Sequence, residues 1–161
     1  MNYFKESILL ISLFSIFMLR AQSQTISLDW SGSEKITVAE QTYALQTVKN
    51  FGLDNGRPFY ALQQKHKQMN EQVEILSLVY EKLPKEQSLI YAQLGISFAA
   101  EPLIDAKVVA ESGLAMLSIY MTPLRLHNGQ LERITQFTYR TTPNTNLSPK
   151  DYVSTSVLGS T

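Results

Sequence analysis

Two histidines, His66 and His127, are the side chains of this 161-residue chain best suited to proton transfer or metal ligation. His66 sits in Gln63-Gln64-Lys65-His66-Lys67-Gln68, a hydrophilic and locally basic run that reads as a solvated strand end or loop. His127 stands at the shoulder of an Asn128-Gly129 turn, where the same reading holds. Neither belongs to a His-x-x-x-His or His-Glu-x-x-His spacing, so a zincin-type metal centre has no ligand set. Cysteine is absent. That excludes a thiolate nucleophile, a thiolate zinc site, a lipidated cysteine and a disulfide scaffold within this chain. Ser31-Gly32-Ser33 is no nucleophile elbow and reads as a turn. The glycines are scattered without a phosphate loop or dinucleotide fingerprint, so no cofactor is expected. Carboxylates are spread singly: Glu71 and Glu74 would share a face only on a helix, while Glu101, Asp105 and Glu111 read as solvated rims of short apolar runs. These residues form no recognisable catalytic site.

Charge and aromatic content narrow the remaining classes. Lysine and arginine number 14 against 14 carboxylates, and the pI is near 6.7, so nothing supports broad phosphate binding and nucleic acid is not an expected partner. Trp30 follows Ile26 and Leu28 in strand phase, which places it in a core. An exposed aromatic platform of Trp30 and some of the eight tyrosines, able to stack a carbohydrate, is the competing reading. Asn146-Leu147-Ser148 matches the glycosylation sequon but is followed by Pro149 and is discounted.

The elements that would position these residues begin after a leader. Lys5 supplies a positive start, with Glu6 beside it, and the run from Ser7 to Leu19 carries no charge. It has the length of a signal-peptide apolar region and falls short of the roughly 20 residues a membrane span needs. Ala21 and Ser23 are the small residues before Gln24, so cleavage is expected between Ser23 and Gln24, with cleavage after Ala21 or a retained anchor as alternatives. Without Lys5, Glu6 and Arg20 the chain holds 12 basic and 13 acidic residues. It is then near neutral.

From residue 24 onward the patterning is β throughout, which predicts an all-β domain over residues 24–141. Thr25 to Trp30 alternates, Lys35 to Val38 resumes after the serine-glycine turn, and Phe59 to His66 extends after Asp54-Asn55-Gly56. Val73 to Leu83 reads as a buried strand ended by Pro84, although Val73, Leu76 and Tyr80 also share helical spacing between Met69 and Tyr80. The firmest signal is Asn128-Gly129 between Leu114–Leu126 and Leu131–Tyr139, which predicts a hairpin with a type I′ turn. Pairing outward sets Leu126 opposite Leu131, Arg125 opposite Glu132 and, continued, Tyr120 opposite Phe137. Pro123 lacks a ladder donor, so an edge or bulge is expected near Thr122-Pro123. From residue 142 to 161 serine, threonine, asparagine and proline dominate, the composition of a linker towards a further domain or of a plain tail.

Certain segments, in order, carry a resemblance. Leu28-Asp29-Trp30-Ser31-Gly32 follows the leader, and Ala115-Met116-Leu117-Ser118-Ile119-Tyr120-Met121-Thr122-Pro123 precedes the Asn128-Gly129 turn. Leu131 to Tyr139 then leads to Ser156-Val157-Leu158-Gly159-Ser160. Taken together, these segments resemble the N-terminal region of the type IX secretion system sortases, the PorU family of gingipain-type cysteine peptidases. The resemblance implies an antiparallel β-sandwich like the gingipain propeptide, followed by a peptidase domain downstream. It implies an exported protein of the periplasm or outer-membrane surface, with outer-membrane components of the type IX system as further partners. Catalytic His and Cys of that family lie far downstream of this region, so no catalytic residue carries over. Arg57, Lys85 and Arg125, near turns or strand ends, are the basic residues able to enter a peptidase cleft in the manner of that family.

Overall fold

The computed structural model describes residues 23–49, 52–54 and 56–144. Most of the expected leader (1–23) and of the expected linker (142–161) lies outside them. Among the described residues ten strands follow one another: β1 (Ser23–Ser27), β2 (Gly32–Val38), β3 (Gln41–Thr47), β4 (Gly52–Asp54), β5 (Arg57–Lys65), β6 (Glu71–Lys82), β7 (Ile104–Glu111), β8 (Leu114–Met121), β9 (Leu124–His127) and β10 (Gln130–Pro143). One helix, α1 (Lys85–Gln93), separates β6 from β7.

All strand pairs are antiparallel, and two sheets face each other as a β-sandwich. In the first, β10 pairs with β6 along its length, while its other edge carries β9 and then β1 end to end. The second has the order β4-β5-β8-β7, and β2–β3 form a separate hairpin. The inner faces meet in one apolar cluster: Leu117, Ile119 and Met121 of β8 against Ile134, Phe137 and Tyr139 of β10, all at most 1% exposed. Alternate β8 residues point inward because the strand period is two.

Strand β10 breaks that rule. Ile134 and Phe137 are both buried although three residues apart. A bulge reconciles them: Ile134 pairs with Tyr80 and Gln136 with Val79, leaving Thr135 as the extra residue. A second irregularity lies on β6, where Ser77 pairs with Thr138 and Ile75 with Tyr139. Leu76 is the unpaired residue there and is exposed.

The Asn128-Gly129 turn is as expected, with both residues at positive φ (49° and 74°), and Leu126 faces Leu131 while Arg125 faces Glu132. The extension of that hairpin is not. Tyr120 lies opposite Ala61 and Asp105 in the second sheet, and Phe137 opposite Ile26 and Leu78 in the first. The chain changes sheets at Thr122-Pro123, where the proline cannot continue a ladder as donor. Its carbonyl still accepts the Ile134 N–H at 2.8 Å, while the Thr122 N–H bonds the Leu103 carbonyl at 3.0 Å. What reads as one long hairpin is therefore a short one, β9–β10, plus a strand of the opposite sheet. A Cβ on Gly129 would meet nothing within 4 Å, so the cost of a side chain there lies in its backbone. Gly129→Val should lower stability by about 1–3 kcal/mol and Gly129→Asn by distinctly less, because asparagine visits the left-handed region. Urea unfolding of both variants measures the difference.

Candidate functional site

Helix α1 was not expected from sequence. Pro84 precedes it, and at its end the Ile96 N–H bonds the Tyr91 carbonyl (3.0 Å) while the Gly95 N–H bonds the Ala92 carbonyl (3.1 Å). With Gly95 at φ +67°, this is a Schellman stop, which glycine enters without a Cβ penalty. The helix is fixed by Gln87, whose Oε1 accepts the Gln46 N–H (2.8 Å) and whose Nε2 donates to the Ala44 carbonyl (3.2 Å). Gln46 extends the same junction. Its Nε2 donates to the Trp30 carbonyl (2.8 Å) and its Oε1 accepts from Arg133 Nη1 (2.9 Å). One side chain thus ties the β2–β3 hairpin to both β10 and the Trp30 turn.

Between α1 with its exit segment and the β9–β10 hairpin lies a cleft of about 710 Å³. Leu83, Tyr91 and Phe98 contribute apolar surface from the helix side, and Leu126 and Leu131 from the hairpin. The Tyr91 and Phe98 rings meet edge to face at 5.1 Å, a favourable quadrupole arrangement. Tyr91 is 1% exposed and its hydroxyl has no hydrogen-bond partner among the described residues. Burial pushes its pKa well up, so the phenol stays neutral. Lys82 and Lys85 also line the cleft.

The residues singled out from sequence do not converge on this cleft, apart from Lys85. His66 is not a solvated loop residue: its Nε2 is bonded to Glu71 across the β5–β6 connection, and both side chains are mostly covered. The hydrophilic run hid this because the partner lies five residues on, where the chain doubles back. His127 is exposed at the turn, with Nε2 3.2 Å from Asn128 Nδ2. Arg125 is not a free cation. It donates to Glu132 Oε2 through Nε (2.9 Å) and Nη2 (2.8 Å), and its guanidinium lies 3.5 Å from the centroid of the Tyr80 ring. Arg57 and Lys85 are exposed. Glu71 and Glu74 lie on a strand and take separate partners, His66 and Arg140. Among the described residues no three His, Asp or Glu side chains are grouped to hold a metal.

Trp30 is 7% exposed, its Nε1 donates to the Ile134 carbonyl at 2.8 Å, and Arg133 covers its ring at 5.4 Å. Every other aromatic side chain among the described residues is buried or half-buried. An aromatic stacking platform is thus not formed by them. At the N-terminal edge, Ser23 pairs with Arg140 and Gln24 with Tyr139, and Gln24 Oε1 accepts the Tyr139 hydroxyl at 2.5 Å.

No protein-family model and no curated protein matches this chain. Among solved structures, one from work on the zymogenic latency of gingipain K from Porphyromonas gingivalis is similar at 8% identity and a TM-score of 0.47, covering 78% of this chain and 95% of that one. The complex of the pro- and mature domains of RgpB from Porphyromonas gingivalis is similar at 10% identity and a TM-score of 0.47, covering 79% and 84%.

Proposed function

We propose that residues 24–141 are the prodomain-like region of a type IX secretion sortase of the PorU kind, a non-catalytic module that covers a downstream cysteine peptidase domain or helps it fold. The observation that carries this reading is where the resemblance residues sit. Leu28 and Trp30 close the edge of β10, Met121 to Pro123 make the crossing between sheets, Asn128-Gly129 turns the hairpin, and Phe137 and Tyr139 fill the core. Each is a joint of the fold, so the shared pattern is a pattern of architecture. The chain offers no cysteine, and its two histidines occupy separate strand ends, each beside a local partner. Chemistry would belong to the partner domain and shape to this one. Of the three basic residues suited to enter a cleft, Arg125 is committed to Glu132, which leaves the exposed Arg57 at the start of β5 and Lys85 at the start of α1.

In this reading the chain leaves the cytoplasm through the Sec pathway and reaches the periplasm or outer-membrane surface. Its leader is removed between Ser23 and Gln24, and Gln24 then begins β1 beside Tyr139. The test is to express the peptidase domain encoded beyond this region with and without residues 24–144, and to titrate the separate module onto active peptidase. Higher soluble yield, or stoichiometric inhibition relieved by Arg57→Ala or Lys85→Ala, is the expected result. Equal yield together with no measurable binding would overturn the proposal.

A further inference from the structure

We propose that the cleft between α1 and the β9–β10 hairpin binds an apolar carboxylic acid, its hydrocarbon chain against the hairpin leucines and its carboxylate at Lys82 and Lys85. The volume of about 710 Å³ lies within the roughly 300–1,000 Å³ of small-molecule sites. Leu126, 42% exposed, leaves an apolar wall in contact with water at the cleft. The charged side chains lining it are two lysines, and no carboxylate joins them.

Arg125, Arg133, Arg140 and Lys107 each hold a carboxylate within ion-pair distance. Among the described residues Lys82 and Lys85 carry no ion pair; Lys35, Lys49, Lys65 and Lys67 carry none either, but do not line the cleft. The carboxylates that could serve the two cleft lysines are otherwise engaged or do not line the cleft. Glu132, opposite Lys82 in register, is bound to Arg125, Glu81 is bound to Arg133, and Glu86 stands outside the lining. Only Leu83 and Pro84 separate the two lysines in sequence, so both join the lining from the β6–α1 connection. An anion is the complement to the two lysines and hydrocarbon the complement to the apolar lining.

An acyl chain fits this lining better than a peptide. The uncharged polar side chains of the lining are Ser88, Gln130 and the buried Tyr91 hydroxyl, too few to satisfy the amide groups of a bound backbone. A hydrocarbon chain brings no such requirement.

Calorimetric titration of the exported form with decanoate below its micelle concentration tests this, with decylamine as the charge-reversed control. Saturable binding of one decanoate per chain is expected, with amide shifts in the NMR spectrum confined to α1 and the hairpin. The amine should bind at least about tenfold more weakly, and Lys82→Ala combined with Lys85→Ala should weaken decanoate by a similar factor. Both lysines are exposed, and circular dichroism would establish that the double variant is folded. Leu126→Glu is the second variant and should abolish binding by placing a carboxylate in the wall. Unsaturable binding, equal affinity for the amine, or a double variant of unchanged affinity would overturn the assignment. So would saturable binding of an apolar acidic peptide at α1 and the hairpin when decanoate gives none.

Discussion

Trp30→Ala is expected to lower the stability of the fold by about 3–5 kcal/mol, the range for removing a large buried aromatic. Three losses combine. The ring leaves the cluster that joins both sheets, the Ile134 carbonyl loses its donor, and the Arg133 guanidinium loses the aromatic face above which it lies. The second loss is sharpened by position, because Ile134 is fully buried beside the Thr135 bulge and water reaches its carbonyl poorly. Trp30→Phe should cost less, since it keeps most of the apolar area and gives up chiefly the hydrogen bond. Trp30 is the only tryptophan, so unfolding in urea is best followed by circular dichroism. A surface stacking residue would behave differently, with changes inside about 0.5 kcal/mol. A value that small for Trp30→Ala would contradict the core assignment and reopen the platform reading.

The placement of Trp30 was legible because Ile26, Leu28 and Trp30 keep one phase through an uninterrupted segment. The Asn128-Gly129 turn was legible for a different reason: few dipeptides satisfy two consecutive positive φ values. The Ala39-Glu40 turn of the β2–β3 hairpin has the same backbone, at φ 48° and 68°, without the residues that announce it. There the strand ladder imposes the turn, and the sequence is silent.

A bulge, a change of sheet and a short helix account for what was misread or left open. At Leu76 the inward phase slips from Val73 and Ile75 to Leu78 and Tyr80, so the apolar positions of β6 mimic a helical interval. Continuing the β9–β10 register through Pro123 gave Tyr120 opposite Phe137, whereas the proline marks a change of sheet. Helix α1 was hidden because its apolar residues Leu89, Ile90 and Tyr91 are consecutive and only Tyr91 is buried. Pro84 and Gly95 bracket it, and that start-and-stop pair was the available signal. The cleft depends on the helix, so Tyr91 and Lys82 could not be read as part of a site. Lys85 was noticed only as a charge near a turn.

Tyr91→Phe is expected to stabilise the domain at neutral pH and to remove part of its sensitivity to alkali. The buried hydroxyl has given up water without gaining a partner, so replacing it by hydrogen should raise stability by about 1 kcal/mol. The alkaline effect is larger. Burial raises the pKa of Tyr91 above the ordinary value of 10, and burial likewise raises Tyr60, Tyr80 and Tyr139. A phenol raised in the folded state contributes its full share of stability below pH 10 and loses it as pH climbs towards the folded value, because the unfolded chain releases its proton first. For Tyr91 the loss is about 1.4 kcal/mol per pH unit above 10. Stability of the wild type should therefore be flat with respect to these tyrosines at neutral pH and fall steeply above 10. Tyrosinate absorbance should appear together with loss of the β-sheet signal. In Tyr91→Phe the midpoint of alkaline unfolding should move upward and the slope should ease by one proton. An unchanged slope would mean that Tyr91 titrates freely in the folded protein, and a loss of neutral stability would mean that its hydroxyl has a partner.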